Sequence, residues 1–237
     1  MKILLDGARL RRRARLAHGA SLGGLLAMLV SVAVPLWRPS LATASLVLLM
    51  AGLTVSMLGI SAANRWVKRP RPEEVIRLAL KGLPDSHRLY HYLLPAEHVL
   101  LTPGGLVVIH PVTLDGAFAF RDGKWRQRFS LSRATRFLVE PSLGDPILQA
   151  KAQAEALRSF LASRLPRFHS PVSPVVLFTH PATELDVENS EIPVCLPDKL
   201  RKRLPQDLPR LSPEVYAALR TILDSTLPSA ARSEAEA

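Results

Sequence analysis

Two long runs without ionised side chains constrain this 237-residue chain more than any other feature. Residues 16–37 carry no formal charge when histidine is neutral, and residues 39–64 carry none at all. About 20 apolar residues in a helix cross the roughly 30 Å of a bilayer's hydrocarbon core, because each residue rises by about 1.5 Å. We therefore predict two transmembrane helices, at about 18–37 and 41–63, within a transmembrane region of residues 16–64.

The charges that flank these runs predict their orientation. A connector as short as residues 37–40 leaves room only for a tight turn, so the helices should form an antiparallel hairpin. Residues 1–18 and 65–81 carry net charges of +5 and +4, whereas residues 82–237 carry +1 of the total of +11. Basic flanks lie on the cytoplasmic side of membrane helices. We expect both chain termini in the cytoplasm.

Two other interpretations of the apolar runs are open. A buried helix pair of a soluble protein would also be apolar, but two runs of this length without charge leave no polar face for water. Alternatively, Ala42-Thr43-Ala44 has the small-x-small form of a signal-peptide cleavage site. Even after such cleavage, the second run would remain as a span with its basic flank inside.

The rest of the chain has the pattern of a globular domain. Residues 73–83 have helical spacing, with acids at the start, where they favour a helix. Two turn signals follow, at residues 102–105 and 122–123, each between short apolar runs that predict β-hairpins.

A second helix is predicted after Asp145, a plausible N-cap followed by Pro146. A buried strand at residues 172–180 and a last helix after Ser212 come next. This order predicts an α/β (α+β) fold with a mixed sheet flanked by helices. The expected parts are a basic cytoplasmic N-terminus (1–15), a basic linker (65–72), the domain (73–204), and a C-terminal helix with a frayed tail (205–237).

Five ordered segments resemble one known family. PEEVIRLALKGL, EHVLLTPGGLVVIHPVTLDGAF, GKWRQ, GDPILQAKAQAEALRSFL and VVLFTHP are similar, in this order, to the nuclease-related domain, NERD, of bacterial and archaeal proteins. That family is often attached to membrane helices or to helicase and kinase domains. The resemblance covers about residues 73–200. It implies a restriction-endonuclease-like fold of the PD-(D/E)xK type, here at a bacterial inner membrane.

The resemblance also implies where a nuclease site would lie. Its helix acid falls on Glu74, its strand acid on Glu97 and its helical glutamine on Gln149. In such nucleases, carboxylates hold Mg²⁺ on the scissile phosphate, and a lysine orients or activates the attacking water. The family's Ile-Glu-x-Lys falls on residues 109–112, where this chain has His110 in place of the acid.

This motif departs from the family at both chemical positions. His110 is neutral and softer than the oxygen ligands that Mg²⁺ prefers, and Val112 supplies neither a charge nor a hydrogen bond. We interpret Glu74, Glu97, His110 and Gln149 as a vestigial site that holds no metal or cofactor. The alternative is a Mg²⁺-dependent nuclease with a rearranged site, in which Asp115 and Lys124 would be migrated substitutes.

A basic segment with aromatic residues offers a nucleic-acid hypothesis. Basic groups and stacking aromatics together are typical of single-stranded nucleic-acid binding. The alternative is a solvated hairpin that faces the anionic inner leaflet, or an exposed strand with alternate polar residues. The candidate residues are Arg121, Lys124, Trp125, Arg126 and Arg128.

Histidines suggest a zinc hypothesis that we do not favour. His87 and His91 are four residues apart and would share one side of a helix, with His98 nearby. The sequence has no HExxH motif, and its one cysteine excludes a Cys-cluster zinc site. Surface or helix-capping histidines are the simpler interpretation.

Three functions follow as hypotheses. The first is a membrane-anchored, non-catalytic interaction or scaffold module whose protein partner the sequence does not name. The second is a membrane-tethered Mg²⁺-dependent nuclease. The third is a non-catalytic module that binds nucleic acid weakly. None of the three requires a small-molecule cofactor.

Overall fold

The computed structural model describes residues 1–5, 7–66, 70–127, 143–165, 171–205 and 210–227. They divide into two compact units. The helical unit is built from the segment that begins at Gly7 and continues to Arg71. The sheet unit contains the first residues of the chain and the described residues from Pro72 onward.

The helical unit is a pair of long helices joined by a short 3₁₀ turn, as the sequence predicts. Helix α1 spans Gly7–Trp37, the turn Pro39–Leu41, and helix α2 Ala42–Trp66. Leu10–Trp37 and Pro39–Ala63 are long and apolar enough to cross a membrane. Only 11% of the most apolar stretch of each is buried, which is not the burial of a core helix.

The sheet unit has one large and one small sheet. The large sheet has six strands in the order β1-β2-β3-β4-β7-β9, and the small sheet has three in the order β6-β5-β8. The strands are β1 Lys2–Leu5, β2 Arg88–His91, β3 His98–Thr102, β4 Gly105–Val112, β5 Gly116–Arg121, β6 Lys124–Gln127, β7 Val172–Phe178, β8 Thr183–Val187 and β9 Val194–Cys195. The helices of this unit are α3 Pro72–Ala79, α4 Pro146–Ala162, α5 Leu200–Arg203 and α6 Pro213–Ser225.

The large sheet is mixed, as predicted. Strands β2, β3 and β4 are antiparallel, whereas β1 pairs with β2, β4 with β7, and β7 with β9 in parallel. Both predicted hairpins are present, as β3–β4 and β5–β6. Asp145 caps α4 by accepting hydrogen bonds from the backbone N–H groups of Ile147 and Leu148, and Ser212 caps α6.

Strand β1 is a finding that differs from the sequence prediction. The first residues were expected to be part of a basic terminus, but Lys2–Leu5 forms a parallel edge strand on β2. Leu4 is buried and packs in the same core cluster as Tyr90. Four residues are too few to show a strand period, and only the pairing with β2 reveals their role.

Helices cover both sides of the large sheet. One side, with Val99 and Val108, packs against α4 and α6 through Leu157 and Leu219. The other side, with Ile109, packs against α3 through Ile76. Side chains alternate between the two sides along each strand, and this alternation determines which helix each site residue faces.

Candidate functional site

The residue at the family's lysine position lies in an apolar cluster. Val112 shares one side of β4 with Val108 and His110, because the three are two residues apart. Only 7% of its surface is exposed, and it packs with Phe118, Phe178 and the α4 residue Ile147. This side chain therefore has no group that could activate a water molecule.

His110 is buried beside α4. Its Nδ1 atom lies 3.0 Å from Nε2 of Gln153. The two side chains are therefore hydrogen-bonded, with donor and acceptor roles that depend on the imidazole tautomer. Within the described residues, the buried Oε1 of Gln153 has no hydrogen-bond partner. The acid position of the family motif is thus occupied by an imidazole that is hydrogen-bonded to Gln153.

Gln153, which the sequence analysis did not single out, is the helical glutamine that contacts this site. The side chain of Gln149, one helical turn earlier, is exposed. In α4 the buried residues include Ala150, Ala154 and Leu157. A period of 3.6 residues puts Gln153 at the border of that buried stripe and Gln149 farther out. Helical periodicity was therefore the signal that could have identified Gln153.

Glu97 lies just before β3, in a tight connection to β2. Its backbone carbonyl accepts a hydrogen bond of 2.7 Å from the Tyr92 N–H. Strands β3 and β4 are antiparallel and pair Val99 with Val108, and Glu97 and His110 each lie two residues beyond this pair. The strand-acid position and His110 thus lie toward the same end of the β3–β4 hairpin.

Glu74 is half-buried on α3, the helix that covers the other side of the sheet. The buried acid of this helix is the preceding residue, Glu73, which is 7% exposed. Its Oε2 atom accepts a hydrogen bond of 3.0 Å from the Tyr92 hydroxyl. Glu73 was interpreted from sequence only as a favourable charge at a helix start, because burial is a tertiary property.

The histidines do not form the helical pair that their spacing suggested. His87 precedes β2, and His91 is the last residue of that strand. The prediction that the two histidines share one side of a helix is therefore wrong. His91 instead faces His98 across β2 and β3, with their Nδ1 atoms 2.7 Å apart. Burial lowers the pKa of His91 to about 3, and the nearby Arg77 charge adds to this. Within the described residues, no group of three or more ligating side chains could hold a metal.

The basic segment is only partly available to a ligand. Arg121 forms ion pairs with Asp186 at 2.6 Å and Glu188 at 3.3 Å. The Trp125 ring packs against Phe120 and Phe178, with centroids 5.0 and 5.7 Å apart, so it is not an exposed stacking platform.

The remaining candidates of this segment are dispersed. Lys124 and Arg126 are exposed on β6, and Arg128 lies outside the described residues. Asp115 precedes β5, and Lys124 pairs with Arg121 at the far end of that strand. A strand of this length separates them by roughly 20 Å, so Asp115 and Lys124 do not form a substitute metal site.

Comparison with known proteins identifies a family that matches the sheet-forming part of the chain. Residues 71–179 match the family model described as the nuclease-related domain, NERD. No curated protein and no solved structure matches the chain significantly. The matched residues extend from the start of α3 to the end of β7 and include Glu74, Glu97 and His110. The chain therefore carries a nuclease-related domain.

Proposed function

We propose that this protein is a membrane-anchored nuclease-related domain without nuclease activity, which acts as a cytoplasmic interaction or scaffold module. The observation that carries the proposal is the apolar environment of Val112, where the reaction needs a lysine. The neighbouring His110, in place of the acid of the family motif, is hydrogen-bonded to Gln153.

The chemistry of these two positions explains the expected loss of activity. Mg²⁺ prefers oxygen ligands, and a carboxylate also offsets the charge of the ion. The imidazole of His110 supplies neither an oxygen ligand nor a negative charge, and Val112 cannot orient a water molecule. Of the motif positions on β3 and β4, Glu97 retains a carboxylate, and one carboxylate is too little for a metal-assisted displacement at phosphorus.

The path of the chain supports membrane anchoring. The helical unit leaves the sheet unit after β1 and returns to it before α3. The pairing of β1 with β2 supports a topology in which both ends of the hairpin lie on the same side of the membrane. The net charges of +5 and +4 on the two flanks favour the cytoplasmic side.

A cleavage assay tests the lack of activity. The full chain in detergent is incubated with DNA and RNA and with Mg²⁺ or Mn²⁺. We expect no metal-dependent cleavage above that of the Glu97→Ala variant, which serves as the matched background. The full chain is needed because a fragment that begins at the basic linker would lack β1. Robust cleavage that disappears in Glu97→Ala would contradict the proposal.

Reporter fusions test the orientation. Fusions near residue 15 and after residue 200 should both report a cytoplasmic location. An external signal from the second fusion would show that the sheet unit has crossed the membrane.

A further inference from the structure

The outer side of the small sheet carries its charges in separate rows. The inner side, with Phe118 and Phe120, packs on the apolar cluster of Phe178. On the outer side, the central strand β5 presents only Ala117 and Ala119 before Arg121. One flanking strand is basic and the other acidic, and the exposed residues are Lys124 and Arg126 on β6, Glu184 and Asp186 on β8, and Glu188 after it.

The register aligns opposite charges across this surface. Ala119 pairs with Arg126 on one side and with Asp186 on the other. Arg121 pairs with Lys124, and the Glu188 N–H donates to the Phe120 carbonyl, which continues the β5–β8 pairing. Between the rows, the small alanine side chains leave an open cleft of about 380 Å³.

We propose that this charge-row face, made of Ala119, Lys124, Arg126, Asp186 and Glu188, binds the same face of a second copy of the chain. The inference rests on the proposed scaffold function and identifies its partner. A twofold axis parallel to β5 places the basic row of each copy over the acidic row of the other. Arg126 then meets Asp186 of the second copy, and Lys124 meets its Glu188.

Charge complementarity favours a second copy as the occupant. In a twofold interface each contact occurs twice, so the two rows provide four opposite-charge contacts. Asp186 and Glu188 form ion pairs with Arg121 of their own chain, but a carboxylate has two oxygens and can accept from a second cation. Within the described part of the chain, Lys124 and Arg126 form no ion pair. A ligand of one charge sign would complement one row and be repelled by the other.

The size of the face predicts a weak interaction. Three strands, each about 4.8 Å from the next, cover only a few hundred Å² per copy, below the standard interface of roughly 800 Å² per partner. Confinement of both copies to one membrane raises their effective concentration, as a linker would. We therefore expect dimers in membranes and dissociation on dilution in detergent.

Crosslinking through a new thiol tests the geometry. Ala119 lies on the central strand, where the twofold axis passes, so Ala119→Cys in the full chain in vesicles should crosslink with a short bismaleimide. Ala156→Cys, at an exposed alanine of α4, is the matched control and should not. The native Cys195 is buried, with a pKa raised to about 11 by that burial, so the wild-type chain provides the background.

Charge reversal tests the pairing. Adding Lys124→Glu with Arg126→Glu to Ala119→Cys should lower the crosslinked yield by roughly tenfold, because four attractive contacts become repulsive. Asp186→Lys with Glu188→Lys should do the same. A mixture of the two variants should recover the yield, because the rows are again opposite in sign. Lys199→Glu with Lys202→Glu, the same charge change elsewhere, should leave it unchanged.

Two outcomes would overturn the proposal. One is a crosslinked yield at Ala119→Cys no greater than at Ala156→Cys. The other is a yield that neither reversal lowers. Neither outcome bears on the absence of nuclease activity, which the cleavage assay tests. Vesicle flotation of the wild-type chain separately tests whether the protein is anchored in a membrane. If the chain does not float, the same crosslinking series is run in concentrated solution.

Discussion

The helical hairpin and the sheet unit are held together in opposite ways. In the hairpin the backbones approach each other closely: a Cβ on Gly59 would overlap the Ser21 nitrogen, and one on Gly24 would lie 2.5 Å from that of Ser56. In the sheet unit, large side chains such as Tyr90 and Phe178 fill the interior.

This difference is the one expected if the hairpin lies in a membrane, as we propose, and the sheet unit lies in water. Lipid tails are as apolar as leucine, so helices in a membrane gain from close backbone approach and not from hiding side chains. In water, the burial of large apolar side chains is the main favourable term. The same substitution therefore has different costs in the two units, and four predictions test this contrast in order of expected effect.

Truncation of a large core side chain should have the largest effect, and only in the sheet unit. Phe178→Ala removes a ring that contacts Phe118 and Trp125, so we expect a loss of about 3–5 kcal/mol in the free energy of unfolding. Leu148→Ala, at an exposed α4 residue, should cost little. Chemical denaturation of the full chain in detergent measures both, and equal losses would contradict the assigned core.

Addition of one methyl group should instead have different effects on stability at two adjacent glycines of the hairpin. Gly24→Ala forces α1 and α2 apart, at a cost of roughly 1–3 kcal/mol. Gly23→Ala is the matched control, because a Cβ at Gly23 has nothing within 4 Å. Unfolding in increasing amounts of SDS measures the helical unit, and a similar loss for both variants would show that the helices do not pack through Gly24.

Acid should weaken the sheet unit. The pKa of His91 is lowered to about 3 in the folded protein, whereas an unfolded histidine titrates near 6.5. The unfolded chain therefore binds the proton first, and stability is complete above about pH 6.5 and falls as the pH drops toward 3. Between pH 7 and 5 we expect a loss of about 1–2 kcal/mol from this group.

The control for this pH dependence is His91→Gln. The variant is destabilised at every pH, but its stability should change less between pH 7 and 5 because the titrating group is gone. An unaltered pH dependence would assign the effect to other groups.

Loss of a helix cap should have the smallest of these effects. Asp145→Ala leaves the N–H groups of Ile147 and Leu148 without their acceptor, at a cost of about 1 kcal/mol. Asp145→Asn keeps a side-chain oxygen and should recover most of the loss. Thermal unfolding followed by circular dichroism measures the pair, and equal melting temperatures for the two variants would argue against the cap.

Some parts of the site were readable from the sequence, and others were not. The unusual residues His110 and Val112 are visible in the motif itself, because the chemistry of a side chain is a local property. Gln153, which contacts His110, and the buried Glu73 are not marked by the motif, which points to Gln149 and Glu74 instead. Each pair lies within about one turn of a helix, and burial, which distinguishes such neighbours, depends on what the helix packs against.

The sequence by itself determined the two apolar helices, because length and the absence of charge are sufficient for that prediction. It also determined the hairpin turns and the caps at Asp145 and Ser212, which depend on residues close along the chain. Only the tertiary structure decided that Lys2–Leu5 is an edge strand and that His91 faces His98. Pairing between strands joins residues far apart in sequence, and no local pattern specifies which strand edge a short segment will join.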